Sequence, residues 1–198
     1  MRSTFVVFLI WIVAVVDALG QQVHEVPFAA PGNIIELSVE NSGSVTAAEL
    51  TVEVLDIPAW LKFNSSSITL PSLHPGSSVA ARFLFDVDRT APVRRRHTLS
   101  FAITASDGQE WMKEMTVEVA PPESFRLFQN YPNPFNPSTI IACQLPRHAK
   151  VSVKIYNLLA QEVAELAGHD FSPGYHELAW EASGCPSGMY VYQLVAEE

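Results

Sequence analysis

The sequence predicts an all-β protein in which two tandem β-sandwich domains follow a secretory signal peptide. Apolar and polar residues alternate with period two in two separate series of segments, which is the pattern of half-buried strands. Turn signals rich in Gly, Asn and Pro separate these segments, and none has a convincing helical period. The adjacent Pro121 and Pro122 lie between the two series, where a stiff extended linker divides the chain.

The first 20 residues have the three parts of a signal peptide. Arg2 supplies the positive charge, Phe5–Val16 is the apolar segment, and Ala18-Leu19-Gly20 places small residues at a cleavage site after Gly20. The alternative is an uncleaved membrane anchor, but a membrane span needs about 20 apolar residues and this run is shorter. We therefore predict an exported protein with no transmembrane segment after cleavage.

The predicted first domain covers residues 21–120. A short lead over residues 21–32 contains Pro27 and Pro31, which disfavour a helix. About seven strands follow, and this is the number typical of a β-sandwich. The strongest predicted core faces are Ile35, Leu37 and Val39; Leu50, Val52 and Val54; Val79, Ala81, Phe83 and Phe85; Leu99, Phe101 and Ile103; and Met115, Val117 and Val119.

The composition excludes some classes of partner. The net charge is −9, and an acidic surface argues against nucleic acid and against an anionic membrane. The one basic cluster, Arg94-Arg95-Arg96 followed by His97, precedes a predicted strand. A solvated loop or strand edge is one interpretation of this cluster, and contact with a phosphate or a polysaccharide is the other.

The predicted linker covers residues 121–124, and the second domain covers residues 125–198. This domain has five or six predicted strands. Their apolar faces are Thr139, Ile141, Cys143 and Leu145; Val151, Val153 and Ile155; His176, Leu178 and Trp180; and Tyr190, Tyr192 and Leu194. We expect Trp180 to be buried against Val153, Ile155 and Tyr190.

The second domain opens with the string Gln-Asn-Tyr-Pro-Asn-Pro-Phe-Asn-Pro-Ser-Thr over residues 129–139. Each proline fixes its own φ and favours extended backbone in the preceding residue. Asn133 and Asn136 can satisfy local backbone groups with their side chains. The string therefore predicts a stiff, extended entry into a strand.

This string resembles the opening of the C-terminal sorting domains of the type IX secretion system, which are small Ig-like β-sandwiches. Later elements in matching order are Val153–Asn157, Gly174-Tyr175-His176 and Ser187–Leu194. The flagellar hook-capping Ig-like domain is similar at this level. The residues to which the resemblance assigns the sorting motif are Asn130, Tyr131, Pro132, Asn133, Pro134, Phe135, Asn136, Pro137, Gly174, Trp180, Gly188 and Tyr190.

The sequence also departs from the sorting-domain pattern. Ala160 lies where the family has a turn glycine, and alanine disfavours positive φ. Cys143 replaces an aromatic residue. The family has one more Lys-rich strand after the Tyr-x-Tyr-x-Leu strand. We therefore expect a domain that lacks its last strand, with an open edge over Met189–Val195 that favours pairing with another chain and impairs export.

Residues 32–120 resemble bacterial Ig-like modules that lie beside glycosidase and peptidase domains. The matching parts are the strand and turn Leu37–Gly43, the stretch Pro58–Leu61 and the turn Leu73–Gly76. The pattern contains no catalytic motif. The resemblance implies an accessory sandwich.

We find no motif that predicts catalysis, a cofactor or a metal site. Asp86, Asp88 and Asp107 are interpreted as solvated carboxylates near turns, since Ca²⁺ needs six to eight oxygen ligands. Cys143 and Cys185 either form a disulfide, which an exported protein permits, or remain separate thiols.

The sequence thus predicts a non-enzymatic exported protein whose second domain is a sorting and surface-anchoring signal. Its expected partner is the export machinery of the outer membrane, with a surface polysaccharide as a possible second partner. One alternative is a carbohydrate-binding or adhesion module, which an exposed row of Trp60, Trp111 and a tyrosine would favour. The other is the remnant of a larger secreted hydrolase.

Overall fold

The computed structural model describes residues 5–9, 14–16 and 22–197, with side chains described from residue 23 onward. Strands are the only regular elements in these ranges, so the predicted all-β class is confirmed. The chain forms two compact units, Met1–Ala120 and Pro121–Glu198. None of the described segments forms a helix with the length and hydrophobicity that a membrane span requires.

The first unit consists of two sheets. The four-stranded sheet has the order β1-β4-β8-β6, and the six-stranded sheet has the order β2-β3-β10-β9-β5-β7. The strands are β1 (Phe5–Leu9), β2 (Ala14–Val16), β3 (Gln22–Val26), β4 (Asn33–Asn41), β5 (Leu50–Leu55), β6 (Leu61–Phe63), β7 (Ser67–Leu70), β8 (Ser78–Val87), β9 (Arg96–Ala105) and β10 (Glu110–Val119).

Both sheets of the first unit contribute to one continuous core. The inner faces predicted from period-two alternation are buried as expected, with Val79 packed at the margin. Aromatic rings fill the centre: Phe63 stacks on Phe85 with 5.2 Å between ring centroids, and Phe83 lies 5.7 Å from Phe101. Burial of these large side chains supplies the main stabilisation of the unit.

The lead over residues 21–32 differs from the prediction because it contains strand β3. This strand runs parallel to β10, with His24 opposite Val117, and it buries Val23 and Val26. A five-residue strand gives little periodicity, and a parallel partner far along the chain leaves no local turn signal. Strands β1 and β2 lie within the predicted signal peptide, and its cleavage after Gly20 stays a prediction.

The second unit consists of two three-stranded sheets, with the orders β11-β12-β15 and β14-β13-β16. Its strands are β11 (Arg126–Leu127), β12 (Ser138–Leu145), β13 (Ala149–Tyr156), β14 (Glu162–Phe171), β15 (Gly174–Glu181) and β16 (Val191–Glu197). Tyr190 lies just before β16 rather than inside it. Within the described residues, β16 pairs with β13 alone.

The core of the second unit is divided into two small clusters. One contains Ile141, Val153, Ile155 and Trp180, and the other contains Cys143, Leu145, Ala149 and Val151. Because the strands of each sheet are antiparallel, the clusters mark the two ends of the unit. We call them the motif end, where the loops 130–137, 157–161 and 182–190 lie, and the linker end, where β11 and the turns 146–148 and 172–173 lie.

Candidate recognition site at the motif end

The Asn-Pro string is an ordered part of the second unit. The backbone of Tyr131 pairs with that of Ile140 through two N–H to O hydrogen bonds of 3.0 Å, so the string lies against the start of β12. The peptide bonds before Pro132, Pro134 and Pro137 are cis. At the other end of the string, the carbonyl of Pro137 accepts a 3.0 Å hydrogen bond from the N–H of Ala182.

Asn130 and Tyr192 fix the beginning of the string. The Tyr192 hydroxyl accepts a hydrogen bond from the Asn130 N–H at 2.9 Å and donates to the Phe128 carbonyl at 3.0 Å. The Asn130 amide donates to Thr139 Oγ1 at 3.0 Å and to the Pro132 carbonyl at 3.2 Å. These contacts join the string to β12 and β16, so the loop is held by partners from two sheets.

An aromatic cluster fixes the end of the string. The Phe135 ring lies 5.3 Å from Trp180, and the Tyr190 ring meets Trp180 edge-on at 5.1 Å. Trp180 is 4% exposed and packs with Val153 and Ile155, so its predicted burial is confirmed. Such edge-on and tilted contacts are the arrangements that aromatic pairs prefer.

Two open clefts lie beside this cluster. One, of about 290 Å³, lies between residues 133–137 and the loop that contains Cys185 and Tyr190. The other, of about 250 Å³, is lined by residues that include Asn130, Phe135 and Met189. Gly188 lines both clefts. The surface around the motif is therefore concave and mixes aromatic rings with amide groups.

Residues 129–198 match the family of the secretion system C-terminal sorting domain. This match confirms the resemblance that the Asn-Pro string predicted for the second unit. The match indicates a secreted protein that carries a type IX sorting signal. The likeness of residues 32–120 to Ig-like accessory modules stays a prediction. No curated protein sequence matches the chain.

Several solved structures share a distant similarity with the chain. The secreted serine protease VesC of Vibrio cholerae is 9% identical, with a TM-score of 0.31 over 88% of this chain and 49% of VesC. Dimeric latent PorU of Porphyromonas gingivalis is 14% identical, with a TM-score of 0.33 over 97% of this chain and 19% of PorU. The chain thus spans about half the length of VesC and about a fifth of PorU. A protein of unknown function from P. gingivalis W83 is also 14% identical, with a TM-score of 0.33 over 77% of this chain and 75% of that one.

The structure brings most of the predicted motif residues of the sorting domain together, with one exception. Residues 130–137, Trp180, Gly188 and Tyr190 all lie at the motif end. Gly174 lies at the linker end, where it begins β15 opposite Leu145 with a φ of 130°. Thr139 and the Tyr192 hydroxyl are motif contacts that were not predicted from the sequence. Strand alternation predicts which face of the sheet a residue occupies, but it does not predict which atom a side chain hydrogen-bonds to.

The two cysteines of the sorting domain are free thiols, so the disulfide alternative is excluded. Cys143 is buried in the linker-end cluster, and burial raises its pKa to about 11. Cys185 is half-buried beside Tyr190, whose own pKa is raised by desolvation and by this thiol. The two cysteines therefore occupy different parts of the core.

Trp60 and Trp111 of the first unit do not form the row that an adhesion module would present. Trp60 and Trp111 are both partly buried against the core. Trp60 precedes β6 of one sheet and meets His97 edge-on at 5.8 Å, whereas Trp111 lies on β10 of the other sheet. In the basic cluster, Arg94 and Arg95 precede β9 and Arg96 is its first residue. Arg96 lies 3.6 Å from Glu118 on the neighbouring strand.

Two carboxylates of the first unit, Asp86 near the end of β8 and Asp88 just after it, make structural contacts. Asp86 accepts a 2.7 Å hydrogen bond from the Gly32 N–H. Asp88 forms a 2.7 Å ion pair with Lys62, and this contact, with the hydrogen bonds from Thr90, lowers the pKa of Asp88 to about 2. Both carboxylates thus connect loops to the four-stranded sheet.

Proposed function

We propose that this chain is a non-enzymatic passenger that the type IX secretion system exports and attaches to the cell surface. Residues 1–20 direct it across the inner membrane and are removed after Gly20. The second unit is then the sorting signal for the outer membrane. The observation that carries this proposal is the match of residues 129–198 to the sorting-domain family.

The geometry of the motif supports a signal that is recognised as a folded surface. Asn130 is held by β12 and β16, and Phe135 packs on the buried Trp180. The string would lose this arrangement in an unfolded chain. A receptor that reads these residues in their observed positions therefore requires a folded second unit.

The passenger role of the first unit rests on two observations. Its sequence carries no motif of a known catalytic site. Its largest fully buried side chains, including Phe83 and Phe101, fill the core. After export, attachment to a surface polysaccharide would hold this unit at the cell surface.

The test compares two hosts that differ only in the outer-membrane translocon. The full chain is expressed in a type IX-competent bacterium and in an isogenic strain without the translocon. We expect surface or extracellular protein in the first strain and periplasmic protein beginning at Gln21 in the second. The location of the protein is measured by cell fractionation and external proteinase treatment, and its first residue is identified by mass spectrometry. Equal surface amounts in both strains would overturn the sorting role.

A further inference from the structure

The exposed apolar side chains of the second unit are confined to one end. Its exposed large hydrophobic residues, over the part of the unit that the structure describes, are Tyr131, Ile140, Leu158, Leu159, Val163, Met189 and Val191. All of them lie in the loops of the motif end or within the first residues of the strands beside them. In the first unit, by contrast, Ile34 and Leu84 face each other on one sheet, while Val45 and Met112 lie apart from them.

The same end carries no charge in its loops. The loops 130–137, 157–161 and 182–190 contain no Asp, Glu, Lys or Arg, although 17% of the chain is charged. At the linker end, the turn 146–148 contains Arg147 and His148, and Lys150 on β13 lies opposite Glu197 on β16. The charges nearest to the loops of the motif end are Glu162, which begins β14, and Glu181, which ends β15, and both lie at the margin of these loops. An apolar patch without charge that has charged groups at its margin matches protein interfaces, whose central part is depleted of charged residues.

The loops of the motif end are held in place by their own hydrogen bonds. In the loop 157–161, the Asn157 side chain accepts 3.0 Å hydrogen bonds from the N–H groups of Leu159 and Gln161. The Asn157 amide also donates to Gln161 Oε1 at 2.9 Å. Leu158 and Leu159, which are 67% and 79% exposed, are thus presented to solvent by a fixed backbone. A preformed surface loses little conformational entropy when a partner binds.

From these observations we propose that the motif end docks onto an uncharged, apolar surface of a protein of the export machinery. This inference rests on the proposed function. It adds which end of the second unit the receptor binds and what the chemistry of the receptor's binding surface is. Leu158, Leu159 and Met189 are aliphatic contact residues that are mostly exposed to solvent. The clefts beside Phe135 and Tyr190 would receive side chains of the partner.

A protein partner fits this end better than a lipid surface does. Protein segments that bind at lipid interfaces carry Lys and Arg beside their apolar residues, because membrane surfaces are anionic. The loops of the motif end have neither residue, and the chain has a net charge of −9 that opposes approach to an anionic surface. The fixed geometry of the loops also favours a protein surface of complementary shape over a lipid surface, which has no fixed shape.

The main test adds charge to the motif end of the full chain. Leu158→Lys/Leu159→Lys changes two exposed residues, and Met189→Lys changes a different loop. Ser172→Lys is the matched control, because it adds a charge to an exposed turn of the linker end. We expect about tenfold less surface protein for each motif-end variant, since burying an unpaired charge in an apolar interface weakens binding by at least this factor. The control should be exported as the unsubstituted chain is.

Thermal melting of each purified full-length variant separates docking from folding. We expect unchanged melting temperatures, because substitutions at exposed positions rarely alter stability. If the motif-end variants keep their melting temperatures and are exported like the control, this inference is wrong and the sorting role stands. If the unsubstituted chain is exported without the translocon, the proposed function is wrong, and the docking inference that rests on it is wrong as well.

Vesicle flotation tests the lipid alternative. The full chain and its Leu158→Lys/Leu159→Lys variant are mixed with vesicles of phosphatidylcholine alone and of phosphatidylcholine with phosphatidylglycerol. We expect no flotation of either protein with either vesicle. Flotation of the unsubstituted chain that the variant has lost would identify lipid as the occupant and would overturn the proposal of a protein partner.

Discussion

The two units of this chain are both β-sheet structures, but they are stabilised differently. The first unit has one continuous core to which both sheets contribute, with Phe83, Phe85 and Phe101 fully buried. The second unit has two small clusters and a buried tryptophan that connects β15 to the Asn-Pro string. A small unit buries a smaller fraction of its surface. Loss of a single contact should therefore remove a larger share of the stability of the second unit than of the first.

Polar side chains show the same contrast. In the first unit the buried Asn41 donates to the carbonyls of Val45 and Leu73 and fixes one loop. In the second unit, Asn130, Asn157 and Tyr192 fix two of the loops at the motif end. The difference indicates that the second unit uses hydrogen bonds to hold an exposed functional surface, which its small core cannot do by packing alone.

The largest expected effect is that of Trp180→Ala. Truncation of a buried tryptophan costs about 3–5 kcal/mol, and Trp180 packs against Phe135, Tyr190 and Ile155. We expect the second unit to unfold while the first stays folded. Limited proteolysis of the full-length variant should then leave a resistant fragment that ends near Pro121.

Fluorescence provides an independent check on this prediction. In a chain whose other tryptophans are replaced by Phe, native Trp180 should emit at the short wavelengths of a buried indole. Solvent-like emission would contradict the burial of Trp180. Trp60→Ala is the matched truncation in the first unit, and it should cost less because Trp60 is only partly buried.

A smaller effect is expected for Tyr192→Phe. The substitution keeps the ring but leaves the Asn130 N–H and the Phe128 carbonyl without the hydroxyl that bonds both. Loss of the hydrogen-bond partner of a partly buried polar group lowers the free energy of unfolding by about 1–2 kcal/mol. Urea denaturation of the full chain should show a lower midpoint for the second unit and an unchanged midpoint for the first.

Tyr131→Phe is the control for the Tyr192 substitution. Tyr131 is exposed, and loss of an exposed hydroxyl should change the stability by less than about 0.5 kcal/mol. If the two variants are equally stable, the Tyr192 hydroxyl does not hold the string. In that case hydrogen bonds would not stabilise the second unit at Tyr192, and the comparison of the two units would be wrong for this residue.

The sequence predicted the strands of both units well because alternation is a local property. Val153 and Ile155, for example, are buried as their spacing required. It could not predict that Gly174 lies far from the string, since the distance between two motif residues depends on strand direction and pairing. Tyr190 was expected within the last strand, but its ring packs on Trp180 and its hydroxyl donates to the Pro186 carbonyl, so β16 begins after it.

Ala160 lies where the sorting-domain family has a turn glycine, and the sequence predicts that alanine disfavours positive φ there. The residue nevertheless adopts a φ of 59°. The loop 157–161 closes with hydrogen bonds between the backbones of Asn157 and Gln161 and of Asn157 and Ala160. This is a short hairpin connection in which Ala160 adopts the left-handed conformation that glycine favours.

The smallest expected effect is therefore a stabilisation by Ala160→Gly. The left-handed conformation costs a residue with a Cβ about 1–2 kcal/mol, and glycine avoids this cost while gaining freedom in the unfolded chain. We expect the free energy of unfolding of the second unit to rise by about 0.5–1 kcal/mol, which is measured as a higher urea midpoint. Ala164→Gly is the control: Ala164 lies in β14 outside the positive-φ positions, and glycine within a strand is destabilising. If both variants are destabilised alike, the loop carries no strain, and the hydrogen bonds of Asn157 alone decide its shape. If only Ala160→Gly gains stability, the chain holds Leu158 and Leu159 at the motif end against a local cost.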